Sequence, residues 1–145
     1  MTAAHWARPY VGMPYVDHGR DAHGCDCWGG VRLVLRDVFG HDLPSYGELY
    51  VSGSHQPSVT ATVTTGLEEQ FCDVTRRDED GRIIPRSSEG DMVILRIGGR
   101  PWHCGILVSD ELFLHWPEGM TACIERLNSA MWLRRISGFY RVLGT

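Results

Sequence analysis

From Asp91 onward the chain is written as short runs, each too brief for a stable helix and each closed by turn residues. Asp91 to Ile97, Cys104 to Val108, Leu112 to Trp116, Thr121 to Glu125 and Phe139 to Leu143 are apolar or alternating. Gly98-Gly99, Asp110-Glu111 and Pro117-Glu118-Gly119 punctuate them. Runs of this length and period are strands, and their succession predicts an antiparallel meander. Ahead of them, Trp28 to Phe39 places Val31, Val34, Leu35 and Val38 on one face of a helix, with Gly40 as its stop. Val59 to Gln70 is a candidate further helix, and Arg76 to Gly90 reads as a charged loop. Helices first and strands after, with no flexible linker between them, predict an α+β domain in which N-terminal helices pack on the sheet.

Size and charge narrow the class further. A chain of 145 residues is one ordinary domain, spanning 1–145, with room for a single sizeable core. With 14 basic against 18 acidic residues and a net charge of −4, it lacks the basic stripe that a phosphate backbone demands, so nucleic acid is not expected as a partner. No run approaches the roughly 18 apolar residues of a membrane span, and none is expected to insert. The start, MTAAHWARPYVGMPY, has no apolar stretch of the export type, so the expectation is a protein made in the cytoplasm without a signal peptide. Cysteines at 25, 27, 72, 104 and 123 are odd in number and lack a framework spacing, which predicts reduced thiols.

One of these cysteines stands where its chemistry can change. In Asp26-Cys27-Trp28-Gly29, Cys27 opens the predicted helix. A free thiol with a pKa of about 8.5 is mostly protonated at neutral pH, but helix N-termini and imidazolium groups lower it to roughly 3.5–7.5. The unpaired amides of that first turn could also hold an oxyanion. Gly29 and Gly30 each cost the helix about 1 kcal/mol against alanine, and they are read as leaving room for a substrate backbone. Asp26, directly ahead of the helix, is placed to cap it. The bland alternative for Cys27 is a small buried hydrophobe.

His103 and His115 are the candidate base and its orienting partner, provided that they share a face. They lie 12 positions apart across a hairpin. A two-residue turn at Asp110-Glu111 would put them on opposite faces; a three-residue loop, Ser109 to Glu111, or a bulge, brings them together and sets Gly105 opposite His115. An odd loop or bulge is therefore expected. His103 would then take the thiol proton, and His115 would bond its far ring nitrogen and fix the tautomer. His5, His18, His23, His41 and His55 read as satisfied or surface residues.

In combination these residues resemble the NlpC and p-sixty superfamily of papain-like cysteine peptidases, in particular its bacteriophage-tail branch. The N-terminal half is carried by Tyr10-Val11-Gly12-Met13-Pro14-Tyr15, Asp26-Cys27-Trp28-Gly29, Val31, Phe39-Gly40 and Leu43-Pro44. The strand block is carried by Gly90 to Leu95, His103-Cys104-Gly105-Ile106-Leu107-Val108 and Phe113-Leu114-His115. The ending, Trp132 to Arg141, is similar to the phage-tail members; Ser52 to Glu89 matches least.

The resemblance implies a small papain-like fold and a triad of Cys27, His103 and His115, with the Tyr15 hydroxyl near the oxyanion or substrate and Asp26, the family's acidic residue before the nucleophile, in contact with substrate as the alternative to its capping role. It implies cleavage of peptidoglycan stem peptides without a cofactor. It also implies a place in the tail tip or hub of a phage-like or gene-transfer particle, beside other tail proteins, acting in the bacterial periplasm to open the wall for DNA delivery. Two departures stand out: Trp28 occupies the position where many cellular members carry a serine that binds the amino end of the stem peptide, and Gly30 stands where leucine is usual.

Three rival readings accompany this one. A zinc site built from Cys25, Cys27, His103, Cys104 and His115 is disfavoured, because Cys-X-Cys is not a zinc-knuckle spacing and adjacent strand residues face opposite ways. A structural tail-hub or wall-binding role with little turnover uses the same fold. So does an amidase or acyltransferase, since a triad selects covalent acyl chemistry and the pocket selects the acceptor. Cys25 is read as loop filling in preference to a regulatory thiol. Ser52 to Glu89 is the candidate lid or docking surface.

Overall fold

The computed structural model describes residues 4–49 and 56–144. A short helix α1 (Ala4–Ala7) and a 3₁₀ turn (Arg8–Tyr10) lead into a small hairpin of β1 (Arg20–Asp21) and β2 (Gly24–Cys25), and helix α2 (Cys27–Asp37) follows. Helix α3 (Gln56–Gln70) runs directly into β3 (Phe71–Asp73). The remaining strands are β4 (Met92–Ile97), β5 (Arg100–Leu107), β6 (Leu112–His115), β7 (Cys123–Arg126) and β8 (Ile136–Val142). The fold is α+β, as expected from the order of its apolar patterns. No helix among the described residues is long and apolar enough to cross a membrane.

The sheet is fully antiparallel, in the order β3-β8-β4-β5-β6-β7. The expected meander holds from β4 to β7. It fails at β8, which returns across the sheet and inserts between β3 and β4. The reason lies in β4 itself: Met92, Val93, Ile94 and Leu95 are all buried, so this strand is covered on both faces and needs a neighbour on each edge. β3, at three residues, is too short to carry a strand period in the sequence.

The two faces of the sheet carry separate cores. On one, Val31, Val34 and Leu35 of α2 pack against Ile94, Cys104, Ile106 and Trp116. On the other, Leu95, Leu107, Phe113 and Phe139 lie beneath Leu127, Trp132 and Ile136. Each fully buried leucine, isoleucine or phenylalanine contributes about 1.5–3 kcal/mol, so both faces are held firmly. α2 ends as predicted, with Gly40 at φ +75°. There the Gly40 and His41 amides satisfy the carbonyls of Arg36 and Leu35.

Candidate active site

Asp26 sets the position of Cys27. Its carboxylate caps α2 by accepting from the Gly29 amide at 2.8 Å and accepts the His18 amide at 3.1 Å. Arg20 reaches from the β1–β2 hairpin to the same carboxylate at 2.8 Å, and its other nitrogens hold Ser45. Asp26 is only 1 % exposed. Of the two readings left open for this residue, helix cap and substrate contact, the geometry shows the cap: both oxygens are engaged inside the protein.

Gly29 and Gly30 also differ from expectation. A Cβ on Gly29 would meet the Gly19 carbonyl oxygen at 2.0 Å, and one on Gly30 would enter the Trp116 ring at 2.1 Å. These glycines make room for the protein's own chain, not for a substrate.

Cys27 is the first residue of α2 and is 6 % exposed. The Gly29 and Gly30 amides are already bonded to Asp26, so those of Cys27 and Trp28 are the first-turn donors that can face an oxyanion. A hydrogen bond from the Cys104 thiol lowers the Cys27 pKa; burial opposes this, and the hydrogen bond and charge of His103 add to the lowering, bringing it to about 5. The Cys104 thiol itself, bonded to the Cys27 sulfur and buried, is pushed well above its ordinary value and stays a donor. β6 pairs with β5 only as far as Gly105–His115, so the β5 edge is open at Trp102 to Cys104. The Cys27 sulfur comes up to that edge, 4.0 Å from the Trp102 carbonyl oxygen.

The hairpin loop is the three-residue one. Leu107 pairs with Phe113 and Gly105 with His115, while the Val108 amide bonds the Leu112 carbonyl, leaving Ser109 to Glu111 as the turn. Both histidines therefore share the face opposite α2. His103 Nε2 lies 2.8 Å from His115 Nδ1, and His115 Nε2 lies 2.6 Å from Glu125 Oε2. Trp132 stacks on His103 at 6.2 Å between centroids and meets His115 edge-on at 5.3 Å.

This chain of contacts determines the tautomers. Burial first, and then the charge of His103, lowers the His115 pKa to about 4, although Glu125 pulls the other way. His115 is thus neutral near pH 7. Burial raises the Glu125 pKa, but the nearby Trp132 indole and the hydrogen bonds of His115 and Cys123 outweigh it and the net shift is downward, so the carboxylate is ionised. An ionised carboxylate only accepts, so His115 Nε2 carries the proton and donates it. Its Nδ1 must then accept from His103 Nε2–H, which leaves the His103 Nδ1 lone pair for Cys27.

Tyr15 forms a bridge with Cys25 and is half-buried. Burial, then the negative charge at Cys27 and Asp26, raises its phenol well above the ordinary value, so the hydroxyl keeps its proton and can donate. Trp28 donates its indole N–H to the Ser45 carbonyl at 2.9 Å and packs on Tyr46 and Phe71. Its ring helps to wall an apolar cavity of about 40 Å³ that reaches Cys27, closed by Thr62, Val63 and Leu67 of α3, with Trp102.

The rival zinc set is not assembled: the buried Cys25 thiol, raised to about 12 chiefly by burial, donates to the Asp21 carbonyl. Cys25 is loop packing. His18 and His23 pair with Asp17 and Asp21, and His41 follows the far end of α2. His55, with the rest of Ser52 to His55, lies outside the described residues. The sequence reading missed Glu125, Cys104 and Trp132. Glu125 lay within a predicted strand, two positions from Cys123, but only the β6–β7 register brings it to His115.

Comparison with known proteins places this geometry. The NlpC/P60 family model matches residues 12–141. The murein DD-endopeptidase MepS/murein LD-carboxypeptidase of Escherichia coli K12 is 27% identical over 136 residues, 92% of this chain and 58% of that protein. The chain thus spans somewhat more than half the length of the curated relatives it matches. Among solved structures, the NlpC/p60 domain of the peptidoglycan hydrolase SagA superimposes with a TM-score of 0.54 at 21% identity, covering 96% of this chain and 94% of that one. An NLP/P60 lipoprotein-like structure from Staphylococcus aureus Mu50 reaches a TM-score of 0.63 at 20% identity, over 99% of this chain and 41% of that one. A family model matching this much of the sequence, on a fold shared with solved members, means that the chain belongs to the NlpC/P60 family.

Proposed function

We propose that this chain is a cysteine peptidase that cleaves an amide bond in peptidoglycan stem peptides. The observation that carries the reading is the hydrogen-bonded line from Glu125 through His115 to His103, which lowers the pKa of the Cys27 thiol at a helix start. The names of the similar proteins, a murein endopeptidase and a peptidoglycan hydrolase, support the substrate class.

In this mechanism His103 Nδ1 holds the Cys27 proton and the thiolate attacks the amide carbon. The Cys27 and Trp28 amides and the Tyr15 hydroxyl stabilise the oxyanion. His103 then protonates the leaving amine, and water, activated by the same nitrogen, hydrolyses the thioester. The finer part of the proposal is a place in a phage-like tail tip or hub, delivered to the periplasm by the particle. It is supported by the similarity of the Trp132 to Arg141 ending to phage-tail members.

The test is mass analysis of purified stem peptides incubated with the wild type and with Cys27→Ala. Cleavage by the wild type alone identifies the bond. Equal cleavage by both overturns the assignment of Cys27.

A further inference from the structure

We propose that His115, Cys123 and Glu125 form a binding site for a thiophilic divalent cation of the zinc type, and that its occupation switches off the neighbouring base. The cation site stands on geometry alone; the switch rests on the hydrolase reading above.

His115 and Cys123 are direct cross-strand partners, and Glu125 is the diagonal neighbour of His115 on the same face. Their ligand atoms all lie within 4.8 Å of one another. Cys123 Sγ is 3.6 Å from His115 Nε2 and 3.7 Å from Glu125 Oε2. Zinc at about 2.3 Å from sulfur and about 2.0–2.1 Å from nitrogen and oxygen spans tetrahedral edges of about 3.5 Å, close to both sulfur distances. The nitrogen–oxygen edge is shorter, at 2.6 Å, because a proton now joins the pair. Glu125, with its side chain 35 % exposed, has the freedom to swing outward. Cys123 and Glu125 are part-exposed on the edge strand β7, so an ion can enter from their side and a water can complete the tetrahedron.

The coupling follows from proton positions. Binding releases the Cys123 thiol proton and the His115 Nε2 proton to solvent. A neutral His115 ligated at Nε2 carries its proton on Nδ1, so the proton in the His103–His115 bond shifts to His115. His103 Nε2 becomes an acceptor, and His103 keeps only a proton on Nδ1. The hydrogen bond that orients the base is thereby reversed, and His115 no longer offers the acceptor that holds His103 in its working tautomer.

Cobalt(II) added to the Cys27→Ala protein tests the site without the catalytic thiol. The expected spectrum shows tetrahedral visible bands and a thiolate-to-cobalt charge-transfer band at one metal per chain. Cys27→Ala/Cys123→Ser, or the Cys123→Ala equivalent, loses that band and binds at least about 100-fold more weakly, more than the loss of an outer-shell partner causes. With Cys27 present, zinc stops stem-peptide cleavage, a chelator restores it, and Cys123→Ser raises the inhibitory zinc concentration by a similar factor. A band that survives in both double variants overturns the site, and inhibition of Cys123→Ser at the wild-type zinc concentration overturns the switch. Cobalt bound through Cys123 in a protein that cleaves nothing would keep the site and overturn the hydrolase reading.

Discussion

Replacing Glu125 by glutamine keeps the shape of the side chain and removes only its charge. In the native protein Glu125 Oε2 accepts from His115 Nε2 at 2.6 Å, against a ring with no solvent exposure. A hydrogen bond to a charged group contributes about 1.5–3 kcal/mol net. Because the carboxylate is 35 % exposed, water and salt screen it, and about 1–2 kcal/mol is the appropriate range. The loss is also one of tautomer. A glutamine amide can turn its N–H to His115 Nε2, which moves the ring proton to Nδ1 and reverses the His103 bond. At about 1.36 kcal/mol per decade, Glu125→Gln should lower kcat/KM about 5- to 30-fold. The loss should fall on kcat, because Glu125 positions the rings and is not among the residues lining the cavity beside Cys27. Steady-state hydrolysis of a purified stem peptide measures this, with Glu125→Asp expected to recover part of the loss by restoring the charge. A Glu125→Gln enzyme with wild-type kcat/KM and an unchanged pH profile would refute the relay.

Alkylation of Cys27 by iodoacetamide should follow a midpoint near pH 5, and His103→Ala should move it upward; a wild-type midpoint near 9 would remove the thiolate from the mechanism. His103→Ala should cost more turnover than His115→Ala, because holding the base is secondary to being it; a fully active His103→Ala protein would end the reading. His115 has a folded pKa of about 4 against an ordinary 6.5, so the unfolded chain binds its proton first. The stability this represents is present above about pH 6.5 and is lost as pH falls toward 4, by up to about 3 kcal/mol. Urea unfolding of wild type and His115→Asn at pH 7 and pH 4.5 checks the sign, and equal acid sensitivity of the two would contradict it. Gly30→Ala gains about 1 kcal/mol of helix propensity but drives a methyl into Trp116, so a net loss of about 1–2 kcal/mol is expected by chemical denaturation; a variant as stable as wild type would refute the packing role.

What the sequence determined by itself was local or periodic. The apolar spacing of Val31, Val34 and Leu35 made a helix, and Asp26 before it and Gly40 after it marked its ends. Alternation along the strands then linked the facing of His103 and His115 to the parity of one turn, so the three-residue loop could be expected from the requirement that they meet. The fold class followed from helical patterns preceding strand patterns. Only the tertiary structure decided the rest, because each remaining feature depends on which distant segment arrives. β8 lies beside β4 because β4 needs covering on both edges. Gly29 and Gly30 are small because Gly19 and Trp116 approach them from elsewhere in the chain. Asp26 became a cap held by Arg20 through the β1–β2 hairpin, a pairing too short to carry a strand signature. Glu125 joined the two histidines because β7 pairs with β6 in one register of several, and α3 closed the cavity at Cys27 from a segment of weak pattern. Periodicity assigns a residue to a face; the identity of its neighbour across that face is a long-range contact, which one-dimensional spacing does not encode.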